Sequence, residues 1–171
     1  MSLGEQLAGL SDRFYDRMRH PAAYEAARAE PTARGFDALR GAKYCLLVSF
    51  RASGEPVPTP VWFGLDGERR MCIRTEADSA KVRRIRADPR VLIAPASSRG
   101  KPTGPCAEGS ARVLPSAECA SAELALKANY GLGRRLYEAT FGRSGVELAY
   151  LEVTPAPAPA DGQLTERGGP E

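Results

Sequence analysis

Seven basic side chains crowd one reach of the chain: Lys81, Arg83, Arg84, Arg86, Arg90, Arg99 and Lys101 lie between Ser79 and Lys101, with Asp88 the single acid among them. Positive charge at that density draws anionic ligands. Ser79-Ala80-Lys81-Val82-Arg83-Arg84-Ile85-Arg86 reads as a helix. Val82 and Ile85 would face a core, with Lys81 and Arg84 on one flank and Arg83 and Arg86 on the other. Ser79 can cap this helix, because its hydroxyl can accept an N–H two or three residues on. Lys81 then falls in the first turn, where free N–H groups and the positive dipole end already favour an anion. A cation is out of place there unless something negative sits beside it, and a bound phosphate would be that. The plain alternative is a solvated basic face, and the helix alone is a loose signal.

Other chemistries find little support. The chain has one histidine, His20, so no Ser/His/Asp or Cys/His arrangement for nucleophilic catalysis can form around the basic helix. No residue declares itself catalytic. Cys45, Cys72, Cys106 and Cys119 lie far apart without a CxxC pair, which argues against a metal site. Cys45 and Cys72 fall in expected strands and read as small buried hydrophobes. A net charge of +3 is too modest for general nucleic-acid affinity. The opening residues lack a secretory pattern, and no apolar run approaches the ~20 residues of a membrane span. A cytoplasmic protein with reduced thiols and no membrane partner is expected.

The elements that must position the basic helix follow from periodicity. Leu3, Leu7, Leu10, Phe14 and Met18 make one apolar helical stripe. His20-Pro21 ends it, and a short helix over 24–29 follows. Residues 1–42 thus form a helical extension. Lys43 to Phe50 is rich in strand formers. In the next strand Val57, Thr59, Val61, Phe63 and Leu65 alternate with Pro58, Pro60, Trp62 and Gly64, and the first set can fill a barrel. Two prolines in one strand require a partly unpaired edge, where a ligand can take the place of a neighbour. Asp66-Gly67 signals a hairpin, and Arg69 to Thr75 returns as a strand. Val91 to Ala94 is a short buried strand. Cys106 to Leu114 is another, with Gly109 marking a bulge or close approach. Ser116 can cap a helix to Tyr130, Leu132 to Phe141 suggests a second, and Val146 to Val153 is a closing strand apolar on both faces. Tyr130 and Tyr137, near helix ends, are by default core residues. Residues 43–154 form the barrel domain, and the Pro/Ala/Gly-rich 155–171 is a disordered tail. The pattern is α+β with an antiparallel barrel and flanking helices.

Four runs together resemble one family. They are Gly54-Glu55-Pro56-Val57-Pro58-Thr59-Pro60-Val61-Trp62-Phe63, then Arg74-Thr75 with Ser79 to Arg86, then Asp88-Pro89-Arg90-Val91, then Arg99-Gly100-Lys101-Pro102-Thr103-Gly104-Pro105. From Phe36 to Val153 the chain is similar to the flavin and deazaflavin oxidoreductases of the pyridoxamine 5′-phosphate oxidase-like superfamily, whose fold is the FMN-binding-type split β-barrel. Within it, the similarity is closest to the branch that uses coenzyme F420. The resemblance implies a homodimer with the cofactor at the subunit interface. It implies Pro58, Thr59, Pro60, Val61 and Trp62 along the ring system. Thr75, Ser79 and Lys81 would hold the ribityl and phosphate groups, with Arg74, Arg83 and Arg84 as weaker phosphate ligands. Relatives often carry a cysteine at the position of Ala96.

The expected function is therefore hydride transfer between F420 and a conjugated small molecule such as a quinone, enone or tetrapyrrole. Two alternatives stand beside it. One is an FMN-dependent oxidase or reductase, and the other is a non-catalytic flavin- or tetrapyrrole-binding protein. The long anionic glutamyl tail of F420 would use the surplus arginines, whereas FMN ends at its phosphate.

Overall fold

The computed structural model describes residues 19–67, 70–130 and 147–157. Its strands are β1 (Tyr44–Phe50), β2 (Pro56–Trp62), β3 (Gly64–Asp66), β4 (Arg70–Glu76), β5 (Arg90–Ala96), β6 (Ala107–Val113) and β7 (Leu148–Pro155). All pair antiparallel in one seven-stranded sheet of order β2-β1-β5-β6-β7-β4-β3. The two ends of that order, β2 and β3, are separated in sequence by Phe63 alone. One residue spans only about 7 Å between its neighbours' Cα atoms, so the sheet must curl until its edges almost meet. The barrel is closed by the chain itself and not by a ladder.

That break corrects the expectation of one strand from Val57 to Leu65. The alternation persists through it, because Val61, Phe63 and Leu65 all serve the same interior. The remaining interior is filled by alternate residues such as Cys45 and Leu47 of β1, Met71 and Ile73 of β4, and Leu151 and Val153 of β7. Phe36 and Leu39, in the segment before β1, join this cluster too. The closing strand is not apolar on both faces. Ala149, Leu151 and Val153 are buried, whereas Glu152 on the other face pairs with Arg70 and Arg112.

Among the described residues three α-helices attend the barrel: α1 (Ala22–Ala26), α2 (Ala80–Ala87) and α3 (Cys119–Tyr130). Helix α2 inserts Val82 and Ile85 into the interior as their spacing predicts, each burial being worth about 1.5–3 kcal/mol. Helix α1 and its C-cap residue lay Ala23 and Ala27 over Leu46, Val48 and Leu92 on the outer face of β1 and β5. Helix α3 begins at Cys119 and not at Ser116, because Ser116–Glu118 forms a 3-10 turn first. It crosses β3 at Gly64, where a Cβ would overlap the backbone of Ala125. Gly109 is a close approach as well: a Cβ there would lie 2.8 Å from the Thr154 carbonyl oxygen. The expected helices at 3–18 and 132–141, Tyr137 and most of the tail lie outside the described residues. Among the described residues, no helix is long and apolar enough to cross a membrane.

Candidate cofactor site

The buried polar residues among those described are Ser49 and Thr75, at 1% and 5% exposure. A buried hydroxyl needs a partner, and both find one on α2. Lys81 Nζ donates to Thr75 Oγ1 at 2.8 Å, and Arg84 Nε donates to Ser49 Oγ at 2.9 Å. The same-flank spacing of Lys81 and Arg84 thus ties the helix to β4 and to β1. Ser49 is not among the expected site residues; the signal for it is that it is the polar member of the inward-facing series Cys45, Leu47, Ser49.

Ser79 occupies the N-cap position of α2, but its side chain makes no capping bond. This corrects the expected cap. The hydroxyl oxygen is instead buried and has no hydrogen-bond partner among the described residues. A buried hydroxyl left without a partner at the start of a basic helix is a polar group still able to bond an added ligand. Lys81 and Thr75 therefore meet at one corner near the start of α2, whose N-cap residue is Ser79.

Arg74 and Thr75 do not share that corner. Adjacent strand residues face opposite sides, and Arg74 lies under α3, 3.5 Å from Glu123. The Tyr150 phenol also donates to Glu123, at 2.8 Å. Burial, and then this bond to a carboxylate, push the Tyr150 phenol up from its ordinary value. Strand parity alone could have separated Arg74 from Thr75.

Arg83 and Arg84 line an open depression of about 840 Å³ between the β1–β2 turn and the outer flank of α2. Arg51 and Arg90 line it too, against the single acid Asp88. Arg83 also donates to the carbonyl of Asp78 at 2.8 Å, and Arg90 holds the Asp88 carboxyl below its usual range through their hydrogen bonds. The depression stays cationic after that pairing. It shares α2 with the Thr75–Lys81 corner but does not include either residue.

Strand β2 is an outer strand of the sheet, as its prolines require. Its ring-side candidates divide by face. Val61 is buried in the core, and Thr59 belongs to the same inward series. Pro58, Pro60 and Trp62 lie on the other face. Trp62 meets Tyr44 edge-on at 5.2 Å and Tyr130 in a tilted contact at 4.5 Å. Asn129 carried no signal in the sequence, yet its Nδ2 donates to the Phe63 carbonyl at 2.8 Å.

A scan of family models matches residues 31–154 to the pyridoxamine 5′-phosphate oxidase model. The chain belongs to this family. No curated protein matches the chain. Among solved structures, members of the same fold recur. An FAD-binding protein of Mesorhizobium loti superposes with a TM-score of 0.51 at 14% identity, covering 70% of this chain and 84% of that one. A conserved hypothetical protein of Mycobacterium tuberculosis gives 0.52 at 14%, covering 75% and 87%. A haem-binding protein of Mycobacterium smegmatis gives 0.51 at 19%, covering 80% of this chain and 51% of the other. The fold of this family member is thus the α+β split antiparallel barrel.

Proposed function

We propose that this family member is an oxidoreductase that binds coenzyme F420 and transfers a hydride between it and a conjugated small molecule such as a quinone, enone or tetrapyrrole. The observation that carries the reading is the buried, unpartnered Ser79 hydroxyl at the start of the helix whose Lys81 bonds Thr75. Those three residues suit a phosphate. Pro58, Thr59, Pro60, Val61 and Trp62 form the strand along which the ring would lie. The arginines of the depression beside α2, Arg83 and Arg84 among them, suit an anionic tail longer than a phosphate. Arg74 would brace the strand from behind through Glu123.

When bound, the deazaflavin supplies the hydride chemistry, and the protein supplies orientation and an anion seat. Trp62 would wall one end of the ring site. A second copy of the chain would cover the open side of β2 in a homodimer and help exclude water. The FMN reading keeps the same phosphate corner, but leaves the arginines of the depression without a ligand group to meet.

Titration of the purified full-length protein with F420 and with FMN tests the reading. Saturable binding is expected, with F420 the tighter ligand and hydride transfer following in a panel of quinones and enones. The variant Ser79→Ala should bind about tenfold more weakly or worse, since hydrogen bonds to charged groups are worth about 1.5–3 kcal/mol. Its melting temperature should hold, because no internal bond is lost. Binding of neither cofactor would refute the proposal.

A further inference from the structure

Strand β2 carries a proline at every second residue: Pro56, Pro58 and Pro60. Across the ladder they face Phe50, Val48 and Leu46. A hydrogen-bonded antiparallel pair exchanges two N–H···O bonds, and proline has no N–H to give. These three pairs are therefore of the non-bonded kind. The bonds to β1 run through Val57, Thr59 and Val61, opposite Ser49, Leu47 and Cys45.

The carbonyls of Pro56, Pro58 and Pro60 accordingly point the other way. That side is the end of the sheet order, where no further strand pairs among the described residues. An ordinary edge presents a row of both N–H and C=O groups. This edge carries three carbonyls without a donor between them, Pro56 and Pro60 being half-buried and Pro58 buried, and Trp62 is the next residue of that parity to carry an N–H.

The geometry points to an edge that selects its cofactor at ring position 5, favouring a deazaflavin over a flavin. This rests on the reading that such a ring lies along β2, and it adds that position 5 of the ring faces this edge. Oxidised flavin has a nitrogen lone pair at that position. Against a row of carbonyl oxygens the lone pair finds no donor, and an acceptor desolvated without a donor is costly. A 5-deazaflavin has a C–H there, and a C–H is a weak donor that suits a carbonyl. The ribityl chain, the phosphate and the pyrimidine ring need not differ at all. The same missing donors refuse an added β-strand.

The test is calorimetric titration of the full-length protein with FMN and with 5-deaza-FMN, which share the ribityl phosphate and differ at ring position 5. The deaza compound should bind about tenfold tighter or more. In Pro58→Ala/Pro60→Ala, which places two N–H groups on the edge, the ratio should fall towards one. Equal affinities in the unaltered protein, or tighter FMN, would overturn this inference and leave the cofactor reading standing. A preference that persists unchanged in the double variant would overturn it as well. If neither compound binds, the cofactor reading fails and this inference fails with it.

Discussion

The phenol oxygen of Tyr130 accepts the backbone N–H of Phe63 at 2.7 Å. It also donates to the carbonyl of Lys43 at 2.8 Å, while neighbouring Asn129 takes the Phe63 carbonyl. The end of α3 thus satisfies both backbone groups of the residue that joins the two sheet edges. Tyr130→Phe keeps the ring contact with Trp62 and removes only the hydroxyl. It should destabilise the protein by about 1–3 kcal/mol, the cost of leaving a buried N–H unpaired. Urea denaturation measures this, and a loss within error would show that the seam needs no clasp.

Gly64→Ala should be harsher than its size suggests. The added methyl meets the backbone of Ala125, which cannot swing aside as a side chain would. Overpacking of this kind costs roughly 1–3 kcal/mol or more. A midpoint equal to that of the unaltered protein would mean that α3 shifts freely on β3.

Lys81→Ala differs from Ser79→Ala in what it disturbs. Lys81 holds the buried Thr75 hydroxyl, so its truncation should cost about 1 kcal/mol of stability as well as cofactor affinity. Thermal melts and titrations on both variants separate the two effects. Equal melting temperatures for the pair would mean that Thr75 is satisfied elsewhere.

Tyr150 should titrate above the ordinary tyrosine value of about 10, because burial and the Glu123 carboxylate both oppose its ionisation. A phenol whose folded value is raised favours the folded state while protonated. Its contribution is therefore complete below the unfolded value and is lost as pH rises through the folded one. Ultraviolet titration of the phenolate should show a late step that disappears in Tyr150→Phe and moves earlier in Glu123→Gln. A late step unchanged in both would assign it to another tyrosine.

Much of this architecture was legible in the residues themselves. Prolines in β2 demanded an edge, Val82 and Ile85 demanded an inward helix face, and Gly109 marked a close approach. The break at Phe63 was not legible, because a period of two reports which face a side chain takes and says nothing of which strand lies beside it. Val61, Phe63 and Leu65 keep one parity across two different neighbours. Ser79 was placed correctly as the residue before the helix, but sequence does not fix a rotamer. The Asn129–Tyr130 clasp joins residues 66 and 67 positions apart from Phe63, a separation no local pattern spans.

The joint between Trp62 and Gly64 works like the tongue of a buckle. In most loops an extra residue adds slack, but here it would turn β3 over. The side chain of the residue before Gly64 would then stand where that glycine now lets α3 lie against the sheet. The length of that joint, one residue, is thereby as strictly set as any side chain in the site.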